Sequence, residues 1–179
     1  MHTLLTMRIL LSLALLCPAM ASLAAPPDPA PLNAKLKACA YSYTPTGDPC
    51  IDKDQREISI QGDRIVFVER HEFTPYTGGP ACRNYSVERE DQAAVADLVP
   101  DIAIENRRKV PWLTFGCNSG VACVSNVKAA RAGKPIDREK VSPGPMQSRI
   151  TSAIQCKDAK DSAALAAELK DFIAASPRK

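Results

Sequence analysis

Residues 57–69 read Glu57-Ile58-Ser59-Ile60-Gln61-Gly62-Asp63-Arg64-Ile65-Val66-Phe67-Val68-Glu69. Two runs rich in β-branched and aromatic residues flank Gln61-Gly62-Asp63. The first run alternates apolar and polar positions, the period of a half-buried strand. A glycine between them supplies turn backbone at no steric cost. The stretch therefore predicts a β-hairpin, and with it a domain organised around an antiparallel sheet.

Downstream, Phe73–Ala81 holds Thr74-Pro75-Tyr76-Thr77-Gly78-Gly79-Pro80 and reads as an irregular loop. Asn84–Val87 reads as a strand, and Glu90–Leu98 as a short helix closed by Pro100. Ile102–Glu105 and Val110–Cys117 read as strands, the second carrying Trp112, Leu113 and Phe115. Pro111 suits the start of that strand or a sheet edge. Gly116–Gly120 turns the chain, and Val121–Val124 is expected to return as its partner strand. Residues 129–147, with Gly133-Lys134-Pro135 and Ser142-Pro143-Gly144-Pro145, read as an exposed loop. Arg149–Cys156 is expected as the last strand. The chain then ends on a helix, capped by Asp158 or Asp161. Its residues Leu165, Leu169, Phe172 and Ile173 form one apolar stripe. Upstream of the hairpin, Leu32–Ala40 fits either a short helix or a leading strand, and Thr44–Pro49 is a turn.

The expected fold class is α+β: a curved antiparallel β-sheet or partial barrel, covered by a C-terminal amphipathic helix and stapled by disulfides. The Trp112–Cys123 strand pair, the Ile150–Cys156 strand and the Leu165–Ile173 helix give an order that resembles pleckstrin-homology-like domains. That resemblance covers about half of the mature chain and implies an architecture that hosts many unrelated binders.

The N-terminus carries a different signal. Arg8 provides a short positive region, Ile9–Leu16 an apolar one, and small residues follow. Ala19-Met20-Ala21 and Ser22-Leu23-Ala24 both fit a signal-peptidase site. The apolar run is well short of the ~20 residues a membrane-spanning helix needs. Leu16 before Cys17 argues against lipidation of that cysteine, and Met7 is an alternative start. The expected organisation is a signal peptide over 1–24, a disordered lead-in over 25–34 and one domain over 35–179. Export places the domain in the periplasm or outside the cell, with no transmembrane segment after cleavage.

The chain has 23 basic and 20 acidic residues, net +3. Removing Arg8 leaves 22 and 20, net +2, which argues against an electrostatic nucleic-acid binder. Of seven cysteines, Cys17 leaves with the leader. Cys39, Cys50, Cys82, Cys117, Cys123 and Cys156 remain, an even set that reads as disulfides in an exported chain. A zinc site is disfavoured because the nearest pair, Cys117 and Cys123, is too widely spaced and no cysteine lies near His71 in sequence. Cys117–Cys123 and Cys39–Cys50 are the local pairings, leaving Cys82–Cys156 as the long tie. Pairing of Cys82 or Cys156 with a local cysteine is an open alternative.

Catalytic constellations are thin. His71, in Glu69-Arg70-His71-Glu72, is the sole histidine after processing. Gly116-Cys117-Asn118-Ser119-Gly120 has the wrong spacing for a nucleophile elbow. Glu88, Glu90, Asp91 and Asp97 read as a charged helix start, and Asn84-Tyr85-Ser86 is a formal glycosylation sequon. No catalytic set, metal site or cofactor is expected. The binding candidates are the aromatics Tyr41, Tyr43, Tyr76 and Trp112, since aromatics and arginines dominate binding hot spots. The expectation is a non-enzymatic binder of another protein, with an inhibitor, immunity or envelope-associated role. An envelope hydrolase with an unrecognised site and a small-molecule or lipid carrier are the alternatives.

Overall fold

A computed structural model describes residues 27–44, 53–73, 85–133, 136–140 and 145–178. The leader expected over 1–24 and the loop carrying Tyr76 lie outside the described residues, as do Cys50, Cys82 and the sequon's Asn84. Among the described residues, no helix is long and apolar enough to cross a membrane.

The fold is α+β, with antiparallel sheets and a C-terminal helix, and it is not a closed barrel. Six strands form the larger sheet: β1 (Tyr41–Tyr43), β2 (Lys53–Gln61), β3 (Arg64–Phe73), β4 (Tyr85–Ala94), β7 (Ser125–Gly133) and β8 (Ile136–Lys140), in that spatial order. The smaller sheet has β5 (Ala103–Arg107), β6 (Val110–Gly116) and β9 (Arg149–Ala153). Isolated bridges Ala40–Ile154, Leu98–Cys117 and Val124–Gln147 join the two sheets at their corners.

The hairpin at 57–69 forms as its alternation dictates, with Gly62 at φ 60° in the turn. On its inner face Ile58 pairs with Phe67, and Ile60 with Ile65. These meet Leu113 and Phe115 of β6, and the Phe67 and Phe115 rings lie edge to face at 5.0 Å. Helix α2 (Ala159–Ala175) closes one side. Asp158 caps it by accepting the Asp161 N–H at 2.8 Å, and Leu165, Leu169 and Ile173 are buried, with Phe172 packed at the core's margin.

The ambiguous segment before the hairpin is helix α1 (Ala30–Ala38), which begins inside the stretch expected as a disordered lead-in. Leu32 and Leu36, four residues apart, bury one face of it. Asn33 works like a strand: its amide donates to Ile60 O and its Oδ1 accepts the Ile60 N–H, both at 2.7 Å. That pair caps the β2 edge where β1 has ended.

Four local expectations are corrected. Residues 90–94, expected as helix, continue β4, because ten cross-strand pairs with β3 outweigh local propensity; only Val95–Asp97 makes a helical turn. Val121–Val124 is not a partner of β6. The chain turns away after Asn118–Gly120, and β6 pairs instead with β5 and β9. The polar stretch 129–147 is in part strand, since β7 runs to Gly133 and β8 follows. The Cys39–Cys50 pairing is also wrong. Cys39 is bonded to Cys156, tying the end of α1 to the approach to α2 across 117 residues. Cys117–Cys123 is formed as expected.

Candidate functional site

The inner face of the larger sheet changes character along its strands. Directly opposed residues share a face, so the register places Arg56, Glu69 and Arg89 in one row, and Asp54, His71 and Val87 in the next. Two residues back along the same strands lie Ile58, Phe67 and Asp91. The face that builds the core at one end thus carries charges at the other.

Arg56 is the hub of those charges. Its Nη2 donates to Glu69 Oε1, and its Nε approaches Asp54 at 3.4 Å. His71 Nε2 donates to the same Glu69 oxygen at 2.7 Å, and its Nδ1 lies 3.7 Å from Asp54 Oδ1. Burial pushes the Glu69 carboxyl up, but the His71 hydrogen bond and the Arg56 charge outweigh it and hold the group below the usual range. The bond to Glu69 raises His71; burial opposes that shift and Asp54 adds to it. On β4, Arg89 Nε sits 2.7 Å from the buried Asp91, which also accepts from Asn126 at 3.0 Å.

Asp54, Glu69 and His71 bring one donor atom each within 4.8 Å of one another, a spacing that suits a cation. The Arg56 guanidinium already bonds both carboxylates from that side. Together the four side chains form an ion-pair network.

Beside this network stands an aromatic wall. Three of the four aromatics singled out from the sequence come together there; the fourth, Tyr76, is outside the described residues. Tyr41 and Tyr43 of β1 stack at 6.4 Å, and Tyr41 meets Trp112 at 6.1 Å. Tyr41 is 7% exposed, its phenol raised by burial and then by Asp54, so it supports the wall from within. Tyr43 is 39% exposed and Trp112 half-buried. Arg56 lies 4.8 Å from the Trp112 ring and Arg107 lies 5.0 Å from it. Each contact holds a guanidinium against an electron-rich face.

Arg107 arrives from β5, an edge strand exposed along its whole length, and is aligned by Glu105 at 2.7 Å. The turn after it puts Arg108 and Lys109 at φ 51° and 66°. Two non-glycine residues in the left-handed region cost roughly 1–2 kcal/mol each. The fold sustains that strain at a cationic tip beside the aromatic wall.

Arg56, Arg89 and Asp54 play no part in the sequence reading, and the other acids enter it only in other roles. A signal existed. Counting back by twos from Ile58 reaches Arg56 and Asp54, and forward from Phe67 reaches Glu69 and His71. Charges on a continuing core face mark a place where the core gives way to a polar site.

No family model, curated protein or solved structure matches this chain.

Proposed function

We propose that this protein is an exported, non-enzymatic binding protein that recognises another protein through the Tyr43–Trp112–Arg107 surface. The carrying observation is that surface itself. An exposed tyrosine, a half-buried tryptophan and a stacked arginine lie side by side, with Tyr41 and Arg56 fixing them from behind. Rigid aromatics with an arginine at the centre are the composition of interface hot spots. Their anchoring lowers the entropy lost on association.

The disulfides indicate an oxidising compartment. The leader-like residues 1–24 support export to the periplasm or beyond. An inhibitor, immunity factor or envelope-associated component would need what this surface offers: fixed side chains beside an open strand edge.

The test is capture from the extract of the source cells' envelope, followed by repurification of the partner. Titration calorimetry then compares the native protein with Trp112→Ala. Affinity should fall at least about tenfold, while the thermal transition stays cooperative. Equal affinity for the two proteins would remove this surface from the interface.

A further inference from the structure

The seam between the two sheets carries a second recognition element. Just beyond the two ends of β9, Ile154 N–H donates to Pro111 O at 3.1 Å, and Ser148 O accepts from Cys117 N–H at 2.9 Å. Even-numbered residues of β9 therefore turn their main chain towards β6. By the alternation of an antiparallel ladder, Arg149, Thr151 and Ala153 turn theirs the other way, into the seam. Both ends of that edge are occupied. Gln147 exchanges main-chain bonds with Val124 at 2.9 and 3.0 Å, and Gln155 N–H donates to Cys39 O at 2.8 Å. Between these points no described strand pairs with the edge, since β9 pairs only with β6.

A cleft of about 300 Å³ opens along this stretch. Phe67 and Ile150 contribute apolar surface, and Arg56, Arg89, Glu69 and Asp91 the facing polar wall. The charges across it do not balance. Arg56 is hydrogen-bonded to Glu69, and Arg89 is ion-paired with Asp91. Arg149, which also lines the cleft, has no carboxylate partner among the described residues. Among the described residues, Arg149 is thus a cation without a carboxylate beside a strand edge that no described strand covers.

We infer that the cleft binds a short extended segment of another polypeptide that carries an acidic side chain. The segment adds to the seam edge of β9 through main-chain hydrogen bonds, and its carboxylate pairs with Arg149. Three extended residues span ~10 Å, which matches the cleft-lining stretch from Arg149 to Thr151. Strand addition supplies affinity through the main chain and takes specificity from side-chain pockets. A guanidinium–carboxylate pair is a strong, oriented contact of that kind. The inference rests on the binding-protein reading above, but it concerns a different surface.

The test uses the oxidised, isotopically labelled full-length protein, observed by amide NMR. The probes are acetyl-Val-Glu-Val-amide, its Gln counterpart, succinate and inorganic phosphate. The Glu peptide should shift the amides of Arg149 and Thr151 and bind about tenfold tighter than the Gln peptide. Arg149→Ala should abolish that preference while leaving amide positions elsewhere unchanged. Equal binding of the two peptides would overturn the role of Arg149. If succinate or phosphate shifted the Arg149 side chain while neither peptide touched those two amides, the cleft would be a plain anion site and the inference wrong. Silence from all four probes would also overturn it. Such silence would leave the aromatic surface standing, because that is read separately through Trp112→Ala.

Discussion

One face of the larger sheet has two ends, and they obey different rules. At the hairpin end, Ile58, Ile60, Ile65, Phe67 and Ala93 are buried against the smaller sheet and the helices. At the far end, the same strands on the same face present Asp54, Arg56, Glu69, His71 and Arg89. The first end gains stability by removing apolar surface from water. The second surrounds charges with one another, an arrangement that often contributes little net stability. The contrast assigns the fold's stability to the apolar end, and under the proposed function the polar end is the one available for recognition.

The comparison is broken most severely through the covalent tie behind both ends. Replacing Cys39 and Cys156 together by alanine should cost up to about 5 kcal/mol, from the loop closed across 117 residues. Replacing Cys117 and Cys123 should cost about 2 kcal/mol, since six residues separate them. Urea unfolding of the two variants checks the order. Thiol counting on the native protein should find none free, because the even count expects Cys50 and Cys82, outside the described residues, to be joined as well.

At the apolar end, Phe115→Ala removes a fully buried ring packed against Phe67, and should cost about 3–5 kcal/mol by denaturant unfolding. At the polar end, Arg56→Met keeps the packing stem but leaves Asp54 and Glu69 without their shared cation. We expect a loss of about 1–3 kcal/mol. Its unfolding curve should stay cooperative, and Trp112 fluorescence should report a changed ring environment. A loss matching that of Phe115→Ala would place the polar end in the structural core.

The smallest effect is a pH dependence. The folded-state pKa of His71 is raised, so its stabilising contribution is present below its ordinary value of 6.5 and is lost as pH rises through the folded pKa. That of Glu69 is lowered, so its contribution is present above the ordinary 4.5 and is lost as pH falls through the folded value. Stability from this pair should therefore peak between the two ordinary values. His71→Gln should flatten the alkaline decline and also shrink the acid one, because His71 is the largest influence holding Glu69 down. A decline of unchanged slope in His71→Gln would assign the pH dependence elsewhere.

The hairpin, β5, β6, β9 and the last helix are legible in the sequence because periodicity, turn residues and an N-cap agree at each. The misreadings share a cause. Residues 90–94 and 129–133 carry polar or alanine-rich sequence, and they become strand only because β3 and β4 are there to pair with. Such partners are invisible to a local reading. Cys39–Cys156 is among the pairings the sequence leaves open but is not singled out by it, since the bridge Ala40–Ile154 that brings its ends together is a tertiary event. Of the site, the aromatics were legible as residue types. Their meeting was not, because β1 reaches Trp112 across the joint between two sheets.

The central claim is that the polar end serves binding and the apolar end folding. The most direct test measures both properties on one variant, Tyr43→Ala/Arg107→Ala, which alters two exposed side chains of the wall. Unfolding free energy should stay within about 1 kcal/mol of the native protein, while affinity for the repurified partner falls at least about tenfold. A variant that loses stability yet keeps its partner affinity would contradict the account.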